Sequence, residues 1–445
     1  MSKEIVKVKC VDYTFDGQGL AKYGNRVIFV PSLLKDEEAE VELLYRKKDF
    51  DVGRIVKLIK LSKYRIKPRC PIATACGGCC FQNLDYKEQL RVKKETSLET
   101  LQKIGGVDMT RFGDIYGMDD PYFYRNKIQV PFGYDKQKRL VYGFYKFKSH
   151  DIVPIEQCVI EDEVHVNILK TIKKLMLEMK IRAYDEDSDT GIVRHVLIRT
   201  GKISKETMVV IVVRRDNFPS KNNFVAAFKE ACPEVKTLVF DINSRRTNVI
   251  LGEKEYVAYG PGFIYDSLCG VKFKISSRSF YQINHDQCEK LYSLAIDKAE
   301  LTGGETILDA YCGIGTIGLI ASKKVAQVDG FEVVSDAIKD AKENAKLNGI
   351  TNAEFFACDA KNFIQRKPYD VIFVDPPRKG LDEAFVSFLL KSKVKKIIYV
   401  SCDVGTLARD LKTLQVKYDV KSFDFVDMFP HTYHVETVVA LVLKK

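Results

Sequence analysis

No stretch of the sequence runs uninterrupted through about 18 apolar residues, the length a membrane-crossing helix needs. The opening MSKEIVKVKC lacks the apolar core of a secretory leader. The chain is therefore expected in the cytoplasm, away from membranes. Internal repeats and low-complexity segments are missing too, which sets aside solenoids and biased linker arrays. Nor is there the dense cysteine spacing of a small disulfide scaffold: twelve cysteines are spread over 445 residues. In a reducing compartment, cysteines that cluster read as metal-binding or catalytic.

What is present is an ordinary apolar share, 46%, and a formal net charge of +11. The length suits two to four domains. The basic excess favours an anionic partner, nucleic acid before others; a merely soluble basic protein is the plainer account. No segment marks an obligate protein partner.

Three regions differ in rhythm. Residues 1–60 read as short strands, EIVKVKCVDYT, RVIFV, EAEVELLYRK and DVGRIVKLIK, broken by Gly, Asn, Pro and Asp turns. That number of strands suits a small barrel of the oligonucleotide-binding type. A basic connector follows, carrying Lys57, Lys60, Lys63, Arg65, Lys67 and Arg69, a solvated face or a phosphate contact. Residues 61–275 mix strands with helices, including a helix predicted from Tyr86 to about Ile104, and read as an α+β central domain. From 276 to 445 strand, turn and helix alternate, the pattern of a doubly wound α/β sheet.

The turn LDAYCGIGTIG joins a strand to a helix. Gly313, Gly315 and Gly318 match G-x-G-x-x-G, with Thr316 inside the turn and Glu332 near the end of the next strand. A dinucleotide site has that spacing. Asp309 argues against one, since a pyrophosphate would meet a like charge. S-adenosylmethionine has no phosphate and carries a cationic amino group and a sulfonium, so Asp309 would attract it. Glu332 would then take the ribose, and Asp359 the adenine amino group.

Two more strand ends carry chemistry. VIFVDPPRKG ends on Asp375 before a rigid Pro376-Pro377 pair, and IIYVSCDVGT ends on Cys402. VDMFPHTYHVET supplies His431, His434 and Glu436 just before the last strand. A thiolate adding to C6 of uracil makes C5 nucleophilic toward a methyl donor, and a base must then remove the C5 proton. Cys402 and Glu436 suit those parts; Asp375 would hold the ring, and Arg378 could stabilise negative charge.

DPPRKG, IIYVSCDVGT and VDMFPHTYHVE, in that order, resemble the RNA (uracil-5-)-methyltransferase family. The resemblance implies Cys402 as nucleophile, Glu436 as base, and Gln282 of SFYQIN, Tyr311, Glu332, Asp359 and Asp375 around S-adenosylmethionine. Asp403 departs from the pattern, which usually has Asn there; a carboxylate beside the nucleophile raises a thiol pKa. RNA cytosine-C5 enzymes usually add a cysteine in the proline motif, which this chain lacks.

CPIATACGGC places Cys70, Cys76 and Cys79 close together, with Cys158 as a possible fourth thiolate. Spacing leaves zinc and a [4Fe–4S] cluster both open. The resemblance favours the iron–sulfur cluster, and DGQGLAKYGNRVIFVPSLLKDEEAEVEL resembles the TRAM barrel of RNA-modifying enzymes. Together these imply the 23S ribosomal RNA branch, with the transfer-RNA branch, which generally lacks barrel and cluster, as the alternative. The target uridine would be extruded from folded RNA, with Phe280, Tyr281 and His431 available to stack on bases. A non-catalytic RNA-binding module would leave Cys402 and Glu436 unexplained. A nicotinamide or flavin oxidoreductase would leave DPPRKG and Asp309 unexplained.

Overall fold

The computed structural model describes residues 4–146, 149–359 and 367–445. Five strands come first: β1 (Ile5–Tyr13), β2 (Gly19–Tyr23), β3 (Arg26–Val30), β4 (Glu38–Arg46) and β5 (Asp51–Lys60). Helix α1 (Tyr86–Gly105) and strand β6 (Phe112–Tyr116) follow. The middle of the chain holds β7 (Lys127–Tyr134), β8 (Leu140–Tyr145), β9 (Ile152–Pro154), α2 (Val164–Glu178), β10 (Val193–Thr200) and β11 (Thr207–Val213). It continues through α3 (Lys221–Ala231), β12 (Val235–Ile242), β13 (Lys254–Tyr259), β14 (Phe263–Leu268) and β15 (Val271–Ser276). Then strand and helix alternate: α4 (His285–Ala299), β16 (Thr306–Ala310), α5 (Thr316–Ala321), β17 (Gln327–Glu332), α6 (Ser335–Leu347) and β18 (Ala353–Ala357). The chain ends with β19 (Val371–Val374), α7 (Glu383–Lys391), β20 (Lys396–Ser401), α8 (Val404–Leu414), β21 (Tyr418–Val426) and β22 (Glu436–Leu443). Two compact units result. One is Met1–Ser97 with Phe144–Val153 and Phe429–His434; the other is Leu98–Gly143, Pro154–Met428 and Val435–Lys445.

In the first unit β1 to β5 close a barrel in the order β1-β2-β3-β5-β4. Strand alternation builds it: Val6, Val8 and Cys10 of β1 point inward while Ile5, Lys7 and Lys9 face out. Inside they meet Ala21, Ile28, Val30, Ala39 and Val41. This is an OB-like barrel consistent with a TRAM domain. Arg65 of the basic connector is spent inside the unit: it donates to Ser32 O at 2.7 Å and grips the fully buried Glu37 at 2.5 and 2.6 Å. A second tie holds the segment Phe429–His434. Gln89 accepts the His431 N–H at 3.0 Å and donates to the Phe81 and Leu84 carbonyls at 2.9 and 2.8 Å. His431 is 1% exposed, so it is a packed residue here and not a stacking platform.

The second unit carries two larger sheets and the small hairpin β14-β15. The eight-stranded sheet runs β18-β17-β16-β19-β20-β22-β21-β6. Strands β16 to β20 are parallel, and β22 is antiparallel to both β20 and β21. Helices α7 and α8 cover one face: Phe385, Leu389, Leu407 and Leu411 share a core with Ile372, Val374, Ile397 and Tyr399. Each such side chain taken from water contributes about 1.5–3 kcal/mol before chain entropy is charged. This is the doubly wound, Rossmann-like architecture expected from the alternation. Strand β6, from a segment that gave no strand signal, adds to the far edge parallel to β21. Among the described residues no helix is long and apolar enough to cross a membrane.

Candidate active site

Sheet register lines up the predicted residues. Ala310 pairs with Phe331 and with Val374, and Val374 with Tyr399. Tyr311, Glu332 and Asp375 therefore stand at the carboxyl ends of three strands, with Cys402 just past β20 and Asp359 just past β18. This edge is where open α/β sheets bind ligands. On β22 the chain runs the other way. Ser401 pairs with Thr437, so Glu436, at the start of β22, faces the position of Cys402.

Asp309 lies in β16, 1% exposed. Its Oδ2 accepts the Gly318 N–H at 2.7 Å, while its Oδ1 is buried with no partner. The glycine turn permits that contact: a Cβ on Gly318 would lie 2.9 Å from Asp309 Oδ2. Gly313 and Gly315 have positive φ, 54° and 83°, and Tyr311 joins them at 66°, a conformation rare outside glycine and common at functional turns. Thr316 opens α5. Burial pushes the Asp309 carboxyl up to about 7, helped by Asp375 and Glu332 and opposed by Gly318. An unpartnered buried oxygen on a half-ionised carboxyl suits a cationic ligand, so these residues fit S-adenosylmethionine. Glu332 accepts the Val334 N–H at 3.0 Å. The Gln282 carbonyl accepts from Asn126 Nδ2 at 2.9 Å, fixing the turn before α4.

The chemistry-bearing groups perturb one another. Burial pushes Glu436 up to about 8, with Asp375 adding and Arg378 opposing. Burial also pushes Asp375 up to about 7. The Cys402 thiol is pushed up to about 12, by burial first, then Glu436 and Asp375, with Arg378 opposing. Asp403 comes last among these causes. Its carboxylate is occupied as the cap of α8, accepting the Thr406 N–H at 2.9 Å.

Of the three candidate stacking residues, Phe280 is 70% exposed and Tyr281 4%. Three groups escaped the sequence reading: Thr406, Arg409 and Asp410 on α8.

A profile of the tRNA (uracil-5-)-methyltransferase family matches residues 85–444. The chain belongs to this family. It is an S-adenosylmethionine-dependent methyltransferase acting on C5 of uracil in RNA. The methyltransferase is 41% identical over 447 residues to an uncharacterized RNA methyltransferase of Halalkalibacterium halodurans, covering 99% of this chain and 97% of that one. It is 42% identical over 445 residues to one of Bacillus cereus, with 98% and 96% covered. Among solved structures it resembles the Pyrococcus abyssi tRNA (uracil-54, C5)-methyltransferase in complex with S-adenosyl-L-homocysteine. That match has a TM-score of 0.80 at 29% identity and covers 98% of this chain and 100% of the other.

Two expectations fall here. The 23S ribosomal branch was inferred from the barrel and the cysteine cluster. The family profile and the Pyrococcus enzyme are both transfer-RNA methyltransferases, and the latter matches nearly the whole chain, so a barrel does not separate the branches. The metal centre also fails. Among the described residues no group of three or more His, Cys, Asp or Glu is arranged to hold an ion, so Cys70, Cys76, Cys79 and Cys158 assemble neither a [4Fe–4S] nor a zinc site. Cys76 Sγ instead accepts the Gly78 N–H at 3.4 Å, and Cys79 Sγ accepts from Gln82 Nε2 at 3.7 Å.

Proposed function

We propose that this enzyme methylates C5 of a uridine in transfer RNA, at the position named for the Pyrococcus relative, uracil 54. The transfer-RNA reading is supported by the family profile and by that relative's full-length likeness. The observation that carries the mechanism is the β20–β22 register, which brings Cys402 and Glu436 to one point of the carboxyl edge.

Asp309, Tyr311, Glu332, Asp359 and Asp375, with the Gly313–Gly315 turn, Thr316 and Gln282, would hold S-adenosylmethionine, which when bound supplies an electrophilic methyl group. Cys402 adds as thiolate to C6 of the uracil, and the ring's electrons move to C5 and O4. Asp375 bonds the ring edge, and Arg378 offsets the charge developing on the oxygen. Once C5 carries the methyl group, Glu436 takes the C5 proton. The electrons re-form the C5–C6 double bond and Cys402 leaves as thiolate. A base pushed up to about 8 is well matched to that step near neutral pH.

The test is a transfer-RNA transcript carrying 5-fluorouridine at position 54. Fluorine cannot leave as a proton, so the reaction should stop as a covalent protein–RNA adduct that Cys402→Ala abolishes. An unmodified 23S transcript treated alike should give none. Adduct formation with ribosomal RNA and none with transfer RNA would reverse the substrate reading.

A further inference from the structure

Helix α8 takes hold of the loop that follows β19. Thr406, Arg409 and Asp410 lie on one face of the helix, a turn apart. Thr406 Oγ1 donates to Arg378 O at 3.1 Å, and Arg409 Nη2 donates to Lys379 O at 2.8 Å. Asp410 Oδ2 accepts the Leu381 N–H at 2.8 Å. Between these points Gly380 has φ 78°, and a Cβ there would lie 2.5 Å from Arg409 Nη2 and 2.6 Å from Asp410 Oδ2. The helix and the loop could not approach so closely around any other residue.

The clasp is built from fixed parts. Asp410 is 4% exposed. Its Oδ2 also accepts from the buried Tyr399 hydroxyl at 2.7 Å, and its Oδ1 takes Arg409 Nε and Nη2 at 2.9 and 2.8 Å. Pro376 and Pro377 have no N–H to donate, and within the loop Gly380 N–H reaches Pro377 O at 2.9 Å. To these the clasp adds bonds from α8, the helix that begins just after Cys402, and Asp410 is itself held by Tyr399, three residues before Cys402 on β20.

That matters for the groups around the nucleophile. The charges bearing on Cys402 are Glu436 from β22, Asp375 and Arg378 from the loop, and Asp403 from α8. Arg378 is the cation among them. We infer that Asp410 is a positioning residue for uracil-C5 methylation: by gripping the Leu381 N–H it fixes the backbone that presents Arg378 and Asp375 to Cys402. The inference rests on the part proposed above for Cys402. Releasing the clasp leaves Glu436 and Asp403 where they are and frees both Arg378, which favours the thiolate, and Asp375, which opposes it, so the pH dependence of addition changes along with the rate. Misplacement of about 1 Å at such a loop costs on the order of 10²-fold in rate.

The experiment follows the rate of adduct formation on 5-fluorouridine transfer RNA across pH. Asp410→Ala should slow it on the order of 10- to 100-fold and shift its acid limb away from the wild-type position, with S-adenosylmethionine affinity unchanged. Asp410→Asn keeps an oxygen for Leu381 and should recover most of the rate. Thr406→Val removes the bond to Arg378 O without stranding a buried charge and should shift the profile the same way, by less. Profiles superimposable on the wild type in both Asp410→Ala and Thr406→Val, with any rate loss matching the loss of folded protein by circular dichroism, would overturn the inference. If the wild type forms no adduct, the proposed chemistry fails and the inference falls with it; if it does, the variants judge the clasp alone.

Discussion

Ser401 on β20 lies opposite Thr437 on β22, and this single register makes neighbours of Cys402 and Glu436, 34 positions apart in the numbering. The pair divides the reaction between bond making and proton removal. Glu436→Gln should therefore form the bond to C6 and then stall, because nothing takes the C5 proton. On ordinary uridine transfer RNA, with no fluorine, that variant should accumulate a denaturation-resistant adduct while turnover falls about 10²–10⁴-fold. Cys402→Ala should give neither adduct nor product. A gel shift under denaturing conditions reads both; rapid release of methylated RNA from Glu436→Gln would assign the base elsewhere.

The raised carboxyls predict two pH effects of opposite sign. Glu436 is pushed up to about 8 and must be ionised to act, so kcat/KM should rise with pH toward that value. Stability should move the other way. Glu436, Asp309 and Asp375 bind their protons more tightly in the folded chain than when unfolded. Their contribution is then fully present below the ordinary carboxylate range and is lost as pH rises through the folded values of about 7 to 8. Melting temperatures from pH 4 to pH 9 should fall more steeply for the wild type than for a variant with all three changed to amides. Parallel curves would contradict the shifts.

Asp309 has one oxygen on Gly318 N–H and one buried without a partner. Asp309→Asn keeps an acceptor for Gly318 and gives up the charge. S-adenosylmethionine should bind about 10- to 100-fold more weakly, the scale of a charge-assisted hydrogen bond. S-adenosylhomocysteine, which keeps the amino cation and lacks the sulfonium, should lose less. Calorimetry with both ligands makes the comparison; equal losses would assign the effect to the shared amino group or to the turn and not to the sulfonium.

Asp403 looked threatening beside a nucleophile, yet its carboxylate is held by the Thr406 N–H. Asp403→Asn should preserve the cap and leave the pH dependence of adduct formation nearly unchanged. Asp403→Ala should cost about 0.5–2 kcal/mol of stability by losing the cap. A large downward shift of the acid limb in Asp403→Asn would show that the carboxylate, capped or not, dominates the thiol.

Sequence carried the strand ends well, because buried parallel strands are apolar runs that stop abruptly at polar groups, as at Ser401-Cys402 and Val374-Asp375. Helix α1 was legible from its charge and leucine spacing, and ends one residue beyond the predicted Ile104. Strand β6 was not legible: FGDIY has no alternation worth the name, and its pairing with β21 is a tertiary event. The cysteine cluster misled because spacing records only who could meet, and in the fold Cys76 and Cys79 accept local hydrogen bonds from Gly78 and Gln82. Asp410 was silent for the opposite reason. A buried aspartate on a helix has no motif, and its meaning lies in the Leu381 N–H of a loop that only folding brings to it.

The direction of β22 has a further consequence. Along this edge the parallel strands depart, and here one strand arrives. A base at the first position of an arriving strand is braced by the ladder behind it and owes little to the loop in front. One residue inserted just after Glu436 would turn it to the opposite face of the sheet and leave the nucleophile without its counterpart.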